Sequence, residues 1–361
     1  MTASRQQSSA LIMGEPFNIT CLSNADKSAW DHYVEHHPDG SFFHLFGWGE
    51  VVKSAYGYEP IYLAAQRGGH IVGLALFVDV RAPLLGRSLI STAFTVGGGP
   101  IGDDQSVIDA LGRAVVKLGE ERNVQYIEAR ADNFALDGWQ AKSGKHAEFQ
   151  LSIPADEGEH LNIIPRKRRA DLRKALAAAD AKKLQLRYDN DVDSFYALYA
   201  RSLRQLGTPV MPKHFLQELV RVFAGQVEIS FIDHEGDTVA GLFSFHFKSH
   251  ALPYYVGTAP GAHACRAHDY LYWAAMRRAV SLDCPVFDFG RSKIDSGAYQ
   301  YKKLWGAAPH PVSYQYRLIR ARTAPDVNPN NPKFRYFSRT WKKLPLPLAN
   351  VAGPFLAPNF P

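Results

Sequence analysis

Cysteine is scarce in this chain of 361 residues, which holds only Cys21, Cys265 and Cys284 and no CxxC pair. Such a sparse set argues against a disulfide scaffold and against a cysteine-ligated zinc site. No run of 18 strongly apolar residues occurs, so we expect no helix that spans a membrane. The first residues lack the apolar core of a signal peptide, and we therefore expect a cytoplasmic protein.

Several short catalytic signatures are missing as well. The chain has no GK[ST] phosphate loop, no HExxH metalloprotease motif and no GxSxG nucleophile motif. Its histidines, such as His36, His37 and His246, are scattered, so we predict no metal site. The three glycines at 97–99, followed by Pro100, predict a tight turn after a strand rather than a nucleotide loop.

Positive charge is concentrated in a few segments. Lys and Arg number 41 against 35 Asp and Glu, for a net charge of +6, and residues 165–187 hold nine basic residues against two Asp. A helix is predicted over residues 164–183, and its first turns carry Arg166, Lys167, Arg168 and Arg169. This basic helix suits an anionic partner such as a phosphate group, and a merely solvated charged face is the alternative.

The predicted elements occur in the same order twice. Each half of the sequence reads as two helices, three strands, one helix and two strands, which predicts two copies of one α/β domain. A chance similarity between alternating α/β segments is the alternative. The expected organisation is a flexible leader (1–16), an N-terminal domain (17–155), a basic linker helix (156–183), a C-terminal domain (184–322) and a proline-rich tail (323–361).

Two neighbouring segments of the second half form the candidate site. In residues 287–293, Asp288 faces away from its aromatic neighbours, Gly290 permits a sharp turn, and Arg291 and Ser292 follow the end of a strand. Ligands of open α/β sheets often bind beyond such strand ends. Residues 296–306 add Lys302, which is either aimed at an oxyanion or phosphate or belongs to an amphipathic turn.

With these segments in view, the chain resembles the FemAB-like branch of the GNAT acyltransferases over roughly residues 25–345. It looks most similar to the FemAB-like proteins of PEP-CTERM and exopolysaccharide loci. The segments that carry the resemblance are residues 164–169, 206–209, 252–257, 287–293 and 301–306. The resemblance implies a mixed α/β (α+β) fold of two tandem GNAT-like domains, each with a mixed, mostly antiparallel sheet flanked by helices.

The resemblance also implies a function. We expect an N-acyltransferase that moves an acyl or aminoacyl group to an amine of a cell-envelope or exopolysaccharide precursor, which is small or lipid-linked. No tightly bound cofactor is expected, and the acyl donor is an acyl-CoA or an aminoacyl-tRNA, which makes tRNA a candidate partner. The chain departs from some relatives because it has no long helical-hairpin arm, and from ordinary GNAT enzymes because it has no clear pyrophosphate loop.

Residue roles follow from this comparison and from acyl-transfer chemistry. The pair Tyr301 and Lys302 matches the aromatic-lysine pair at the reaction centre of relatives, and Lys302 is expected to polarise the carbonyl. Asp288 either takes a proton or, as we favour, holds the lysine. The remaining candidates bind substrate, with one tyrosine of the adjacent pair facing the cleft and the other the core. These substrate-binding candidates are Arg291, Ser292, Tyr254, Tyr255, Tyr301 and Lys303.

Two other functions stay open at this point. A GNAT-like protein without catalytic activity could bind a glycan or lipid carrier in an assembly complex, and basicity alone supports an RNA-binding protein. The tail holds six prolines between Pro332 and Pro361, which exclude a long helix. It predicts either a membrane contact anchored by Trp341, Lys342 and Lys343 or an extended strap across the first domain.

Overall fold

The computed structural model describes residues 17–82, 86–130, 138–181, 183–324 and 332–359. The leader predicted for residues 1–16 lies outside these residues. The described helices are α1 (Lys27–His36), α2 (Gly47–Tyr56), α3 (Gln105–Glu121), α4 (His160–Ile163), α5 (Arg166–Asp180), α6 (Val192–Leu206), α7 (Lys213–Val222), α8 (Ala267–Ser281), α9 (Gly297–Leu304), α10 (Pro332–Lys343) and α11 (Leu346–Leu356).

The described strands follow the predicted order, to which the structure adds the short strand β5 (Ile101–Gly102) in the first half and α9 between the last two strands of the second. They are β1 (Asn18–Cys21), β2 (Glu59–Arg67), β3 (His70–Ala82), β4 (Gly86–Ser91), β5 (Ile101–Gly102), β6 (Tyr126–Ala129), β7 (Gln140–Ser152), β8 (Leu184–Tyr188), β9 (Val227–His234), β10 (Asp237–Phe247), β11 (His250–Thr258), β12 (Val286–Lys293) and β13 (Ala308–Leu318). Short edge strands, β1 and β8, precede the pattern in each half.

Local sequence signals account for several helix starts. The carboxylate of Asp104 accepts a hydrogen bond from the backbone N–H of Val107 and begins α3, as the sequence predicts. Asp191 caps α6 in the same way. Strand β4 ends at Ser91, because Thr92 and Phe94 adopt positive φ angles and turn the chain.

One mixed sheet runs through both halves of the molecule. Its order is β1-β2-β3-β4-β6-β13-β7-β12-β11-β10-β9-β8, with β5 paired to β3. Parallel pairing joins β4 to β6 and β11 to β12, and the other pairs are antiparallel. The expected mixed, mostly antiparallel α/β architecture with tandem halves is confirmed.

The halves exchange their last strands at the centre of the sheet. Strand β13 lies between β6 and β7, and β7 in turn pairs with β12 of the second half. Each half therefore completes its sheet with a strand from the other. The exchange fixes β12, which carries the candidate residues, against a strand of the N-terminal half.

A shared aromatic core joins the halves on the helix side. Phe42 stacks on Phe245 at 4.3 Å between ring centroids, and Trp48 meets the edge of Phe215 at 5.9 Å. These buried rings come from opposite halves and belong to one continuous cluster. Separating the halves would expose several aromatic side chains, each of which contributes a large apolar area.

One close backbone approach explains a glycine of the resemblance segment 252–257. A Cβ atom at Gly257 would lie 2.5 Å from the backbone nitrogen of Tyr199 on α6. Only glycine lets β11 and α6 approach to this distance. The segment is therefore required by packing as well as by any function.

The tail folds as two helices, and the expected extended strap is wrong. Helices α10 and α11 both pack on α6 of the second half, and the chain turns between them at Pro345. Trp341 is only 3% exposed, so it cannot act as the interfacial anchor that the sequence suggests. No described helix combines the length and hydropathy needed to cross a bilayer.

Candidate active site

The candidate site begins at a bulge in strand β12. The register with β7 shifts between Asp288 and Gly290, and Gly290 has a φ of +65°. The carboxylate of Asp288 accepts hydrogen bonds from the Gly290 N–H at 2.7 Å and from the side-chain amide of Gln150 at 3.2 Å. Phe289 is the extra residue of this bulge, and pairing with β7 resumes at Gly290.

Helix α9 delivers the amine of Lys302 to this bulge. The Oγ atom of Ser296 caps the helix by accepting the Tyr299 N–H. Lys302 lies two turns on and donates hydrogen bonds to the carbonyl oxygens of Gly290 at 2.9 Å and Arg291 at 3.0 Å. Its side chain is buried, which does not fit the alternative of a solvent-exposed lysine on an amphipathic turn.

Burial sets the charge state of Lys302. Desolvation lowers its pKa to about 8, and the nearby charge of Asp288 opposes this shift. The amine is therefore mostly protonated at pH 7. The Asp288 carboxylate is also buried, and desolvation raises its pKa. Asp288 accepts a hydrogen bond from the Gly290 N–H, and Lys302 donates to the Gly290 carbonyl. Any role of Asp288 in holding Lys302 therefore acts through the backbone of Gly290.

A cavity of about 420 Å³ opens beside Lys302. We call it the lysine cavity. Its walls come from both halves and from the tail, and most of them are aromatic or apolar. Its lining includes Tyr56, Phe94, Val96, Tyr199, Pro253, Tyr254, Tyr255, Tyr272, Phe289, Gly290, Arg291, Ser292, Lys302 and Ala357. Apolar walls with a few convergent polar groups are typical of small-molecule sites.

Within the part of the chain that the structure describes, two hydroxyl groups of the lysine cavity have no hydrogen-bond partner. They are the Oη of Tyr255 and the Oγ of Ser292, in side chains that are more than nine-tenths buried. Buried polar atoms are nearly always hydrogen-bonded in folded proteins. Unpaired hydroxyls that line a cavity beside a cationic amine are suited to a polar group of a bound ligand.

The two adjacent tyrosines of β11 do not alternate as expected. The register of β11 with β10 shifts at Phe243, so that Tyr255 pairs there and Tyr254 is left as the extra residue. Both rings consequently line the lysine cavity, with their centroids 4.8 Å apart. The prediction that one faces the core alone is wrong, because a bulge breaks the two-residue period.

Arg291 ties the lysine cavity to the first half. Its guanidinium donates a hydrogen bond to the Tyr314 hydroxyl on β13 and lies 5.4 Å from the centre of that ring. The Tyr314 hydroxyl in turn donates to the Val96 carbonyl at 2.7 Å. Residue 96 belongs to the turn that the glycine run predicted, so this turn forms part of the site wall.

A second cavity of about 380 Å³ lies on the other side of this contact. We call it the carboxylate cavity, because Asp39, Glu148 and Asp288 line it. Arg130 also lines it, but its charge is paired with buried Glu128 at 2.7 Å. Asp288 and Lys302 thus face neighbouring cavities rather than one cleft, and Val96 contributes to the walls of both.

The basic helix is divided between structural and exposed charges. Arg168 is buried in an ion pair with Asp269 of α8, and Arg169 donates to the carbonyls of Ile164 and Asn162. Neither guanidinium is therefore a free anion-binding group, contrary to the expectation. Arg166 and Lys167 are exposed, and their anion-binding role stays a proposal.

The Arg168 side chain, held by Asp269, packs against two aromatic rings next to Lys302. The guanidinium of Arg168 lies 5.3 Å from the ring centre of Tyr301 and 5.4 Å from that of Trp305. Both rings flank Lys302 on α9 and its following turn. Tyr301 therefore buttresses the helix, whereas Lys303 is exposed and lies against the Tyr299 ring.

Sequence reasoning missed the residues that other elements bring to the site. Gln150, Tyr314 and Val96 are adjacent to the site only because the halves exchange strands and because the turn after β4 folds back. No local motif marks them. The glycine run at 97–99 was the one signal that could have pointed to the turn.

The comparisons with known proteins agree with this geometry. Residues 166–303 match the family described as acetyltransferase (GNAT) domain, a span that runs from α5 to α9 and includes Lys302. The sequence matches no curated protein. The crystal structure of FemX has a TM-score of 0.66 and 14% identity, with 84% of this chain and 98% of that chain covered.

Two further structures share the fold. A tandem GNAT protein from the clavulanic acid biosynthesis pathway has a TM-score of 0.54 and 9% identity, covering 86% of this chain and 100% of that one. L-PGS from Bacillus licheniformis has a TM-score of 0.54 and 11% identity, covering 88% and 97%. The match of residues 166–303 to an acetyltransferase (GNAT) domain supports an enzyme of the acyltransferase class, and the solved structures show that the fold is shared.

Proposed function

We propose that this protein is a FemAB-type N-acyltransferase that moves an acyl or aminoacyl group from an activated donor to an amine of a cell-envelope precursor. One observation carries the proposal. The protonated amine of Lys302 lies in a largely apolar cavity together with two buried hydroxyls, those of Tyr255 and Ser292, that have no partner. These donors would surround the carbonyl oxygen of an acyl group.

The chemistry requires stabilisation of a developing oxyanion. The acceptor amine attacks the donor carbonyl, a C–N bond forms, and the C–S or C–O bond to the carrier breaks. The amine loses a proton, and the leaving thiolate or alkoxide gains one. A fixed positive charge in a dry site favours the tetrahedral intermediate over the bound substrate. Lys302 supplies that charge, and the bulge carbonyls fix its position.

The neighbouring carboxylate cavity suits the acceptor. Asp39, Glu148 and Asp288 give it an acidic lining that attracts a protonated amine before the reaction. Asp288 holds the bulge through the Gly290 N–H in this proposal, and its raised pKa leaves uptake of the proton that the amine loses as the alternative role. In this arrangement the donor occupies the lysine cavity, and the contact between Arg291 and Tyr314 lies where the two substrates meet.

The donor is an acyl-CoA thioester or an aminoacyl-tRNA ester. Helix N-termini commonly hold donor phosphates, but the first turn of α8 is buried and its Asp269 is paired with Arg168. Exposed Arg166 and Lys167 on α5 are the proposed anion contacts instead. By resemblance we place the acceptor in envelope or exopolysaccharide synthesis, including PEP-CTERM systems, on a small or lipid-linked precursor in the cytoplasm.

A binding protein without catalytic activity is the second candidate. It is favoured by the hydrogen bonds of Lys302 to two backbone carbonyls, which a purely structural lysine would also make. The two candidates differ in one respect: only the enzyme needs the positive charge for turnover.

An intact-mass screen tests the proposal. Purified protein is incubated with acyl-CoAs, with aminoacyl-tRNAs and with nucleotide-linked or lipid-linked amine precursors, singly and in donor-acceptor pairs. The expected result is a product whose mass rises by one acyl or aminoacyl group in one pairing. Binding of a precursor without any transfer in every pairing would favour the second candidate.

A further inference from the structure

Helix α11 is oriented with its large apolar side chains outward. Leu348, Val351 and Phe355 are 58%, 67% and 75% exposed, and at 100° per residue they lie within about 60° of one another. The face toward α6 carries small residues, Ala349 and Gly353, which are buried. This is the reverse of an ordinary surface helix, which buries its large apolar residues. We call the three side chains the outer stripe.

The tail concentrates such exposure. Eight large apolar side chains are exposed in the part of the chain that the structure describes, and four of them lie between residues 336 and 355. The fourth is Tyr336 on α10. A cluster of this kind marks an interaction site more often than scattered exposed residues do.

Positive charge accompanies the outer stripe. Arg339, Lys342 and Lys343 are exposed on α10, directly before α11. From residue 327 to residue 361 the sequence contains five Lys or Arg and no Asp or Glu. An uncharged apolar face next to a purely basic segment is complementary to a membrane surface that carries anionic headgroups.

We propose that α10 and α11 form a docking surface for an anionic lipid bilayer, with the outer stripe inserted at the level of the headgroups. A second copy of the chain is a poorer occupant, because three side chains are far fewer than the roughly 20–30 residues that each partner contributes to a stable interface. The occupant is the bilayer and not a lone phosphate, since the stripe offers apolar contact that only acyl chains match.

The docking surface lies next to the lysine cavity along the chain, which suggests a role in substrate delivery. Ala357, directly after α11, lines the lysine cavity. A bilayer bound at the outer stripe would therefore lie near that cavity and could present a lipid-linked molecule to it. The docking surface itself does not depend on transferase activity, because none of its residues belongs to the site.

Vesicle flotation of the full chain tests the proposal. Wild-type protein should float with vesicles of phosphatidylcholine and phosphatidylglycerol and bind phosphatidylcholine alone at least about tenfold more weakly. The variant L348S/V351S/F355S should lose about tenfold or more in binding to the anionic vesicles. The variant K342E/K343E should lose a similar factor in binding to the anionic vesicles. Raised salt should weaken the binding of wild-type protein.

Matched controls separate these effects from general changes in surface character. Leu282→Ser removes an exposed leucine at the end of α8, and R113E/K117E reverses two exposed charges on α3. Both should bind vesicles like wild type. Lys302→Met should also bind normally, so loss of transferase activity and loss of docking are distinguishable.

A second measurement keeps the test decisive if the triple variant fails to fold. The variant Phe355→Trp should show fluorescence quenched by brominated phosphatidylglycerol vesicles beyond that of wild type. Equal flotation of the stripe variant and wild type, or absence of this extra quenching, overturns the proposal. A dimer in sedimentation velocity that the stripe variant dissociates, without vesicle binding, would assign the surface to a second copy instead.

Discussion

The amine of Lys302 donates a hydrogen bond of 2.9 Å to the carbonyl oxygen of Gly290, the residue at which β12 resumes its pairing with β7 after the bulge. Helix and strand are thereby locked together at the one point where the strand bulges. The backbone beside the bulge presents two carbonyl oxygens, and the amine of Lys302 donates a hydrogen bond to each of them.

Removal of the Lys302 charge should separate catalysis from binding. In Lys302→Met the turnover number should fall on the order of 100- to 1000-fold, as expected for loss of one oxyanion donor. Donor binding, measured by titration calorimetry, should change little. The variant should also lose about 1–3 kcal/mol of stability, because two buried carbonyls lose their partner.

Lys303→Met is the matched control for this change. Lys303 is exposed and lies on another side of the helix, so turnover and the urea midpoint should stay close to wild type. Wild-type turnover in Lys302→Met would contradict the catalytic role and favour the binding protein.

The low pKa of Lys302 should appear in the pH profile. Its value of about 8 means that the amine loses its proton as pH rises through that region, and turnover should fall with it. Lys302→Arg remains protonated throughout. Its residual turnover should therefore lack the descending limb, as measured with saturating donor across neutral to alkaline pH.

The lowered pKa of Lys302 also makes the stability of the fold depend on pH in a defined direction. Lys302 binds its proton more tightly in the unfolded chain, where its pKa is near 10.5, than in the folded protein. Between these two values the unfolded state carries more protons, so wild-type stability should rise with pH relative to Lys302→Met. Paired urea titrations at several pH values check this, and parallel curves for the two proteins would exclude the shift.

Asp288 is expected to act as a positioning residue through the bulge. Asp288→Asn keeps an acceptor for the Gly290 N–H and should retain most of the turnover, whereas Asp288→Ala removes it and should lower kcat with little change in KM. A collapse of activity in Asp288→Asn, with loss of the acidic limb of the pH profile, would instead identify the carboxylate as the proton acceptor.

The unpaired hydroxyls predict an unusual pattern. Tyr255→Phe and Ser292→Ala remove groups that have no partner in the free protein, so neither should destabilise the fold. Both should weaken donor binding or turnover. Tyr62→Phe serves as the control, since the Tyr62 hydroxyl donates to the Phe46 carbonyl at 2.9 Å and its loss should cost about 1 kcal/mol. Normal kinetics in both Tyr255→Phe and Ser292→Ala would show that neither hydroxyl contacts the donor.

The buried ion pair should be indispensable for folding rather than for anion binding. Arg168→Met leaves the buried Asp269 with only the longer contact to Arg266 at 3.8 Å. It should cost about 3 kcal/mol, and R168M/D269L should restore much of that loss. R166E/K167E should keep wild-type stability but weaken donor binding with a reduced salt dependence. Unchanged donor affinity of R166E/K167E at low salt would show that Arg166 and Lys167 are merely solvated surface charges.

Local patterns in the sequence determined most helices and strands and the duplicated order, because capping residues and apolar periodicity act over a few neighbouring residues. They did not predict α9 or the two tail helices. They also identified β12 and α9 as the segments of interest, since charged and aromatic residues cluster there. The same patterns placed Arg168 among surface charges, because residue type alone does not reveal the buried partner on α8.

Only the tertiary structure decided which groups meet. The exchange of β7 and β13, the bulges at Phe289 and Tyr254, and the inverted face of α11 depend on contacts between residues far apart in the chain. A bulge shifts every later side chain to the opposite face, and strand exchange brings Gln150 and Tyr314 to a site in the other half. Such long-range pairings are set by the packing of the whole sheet and its shared core, which no short segment encodes.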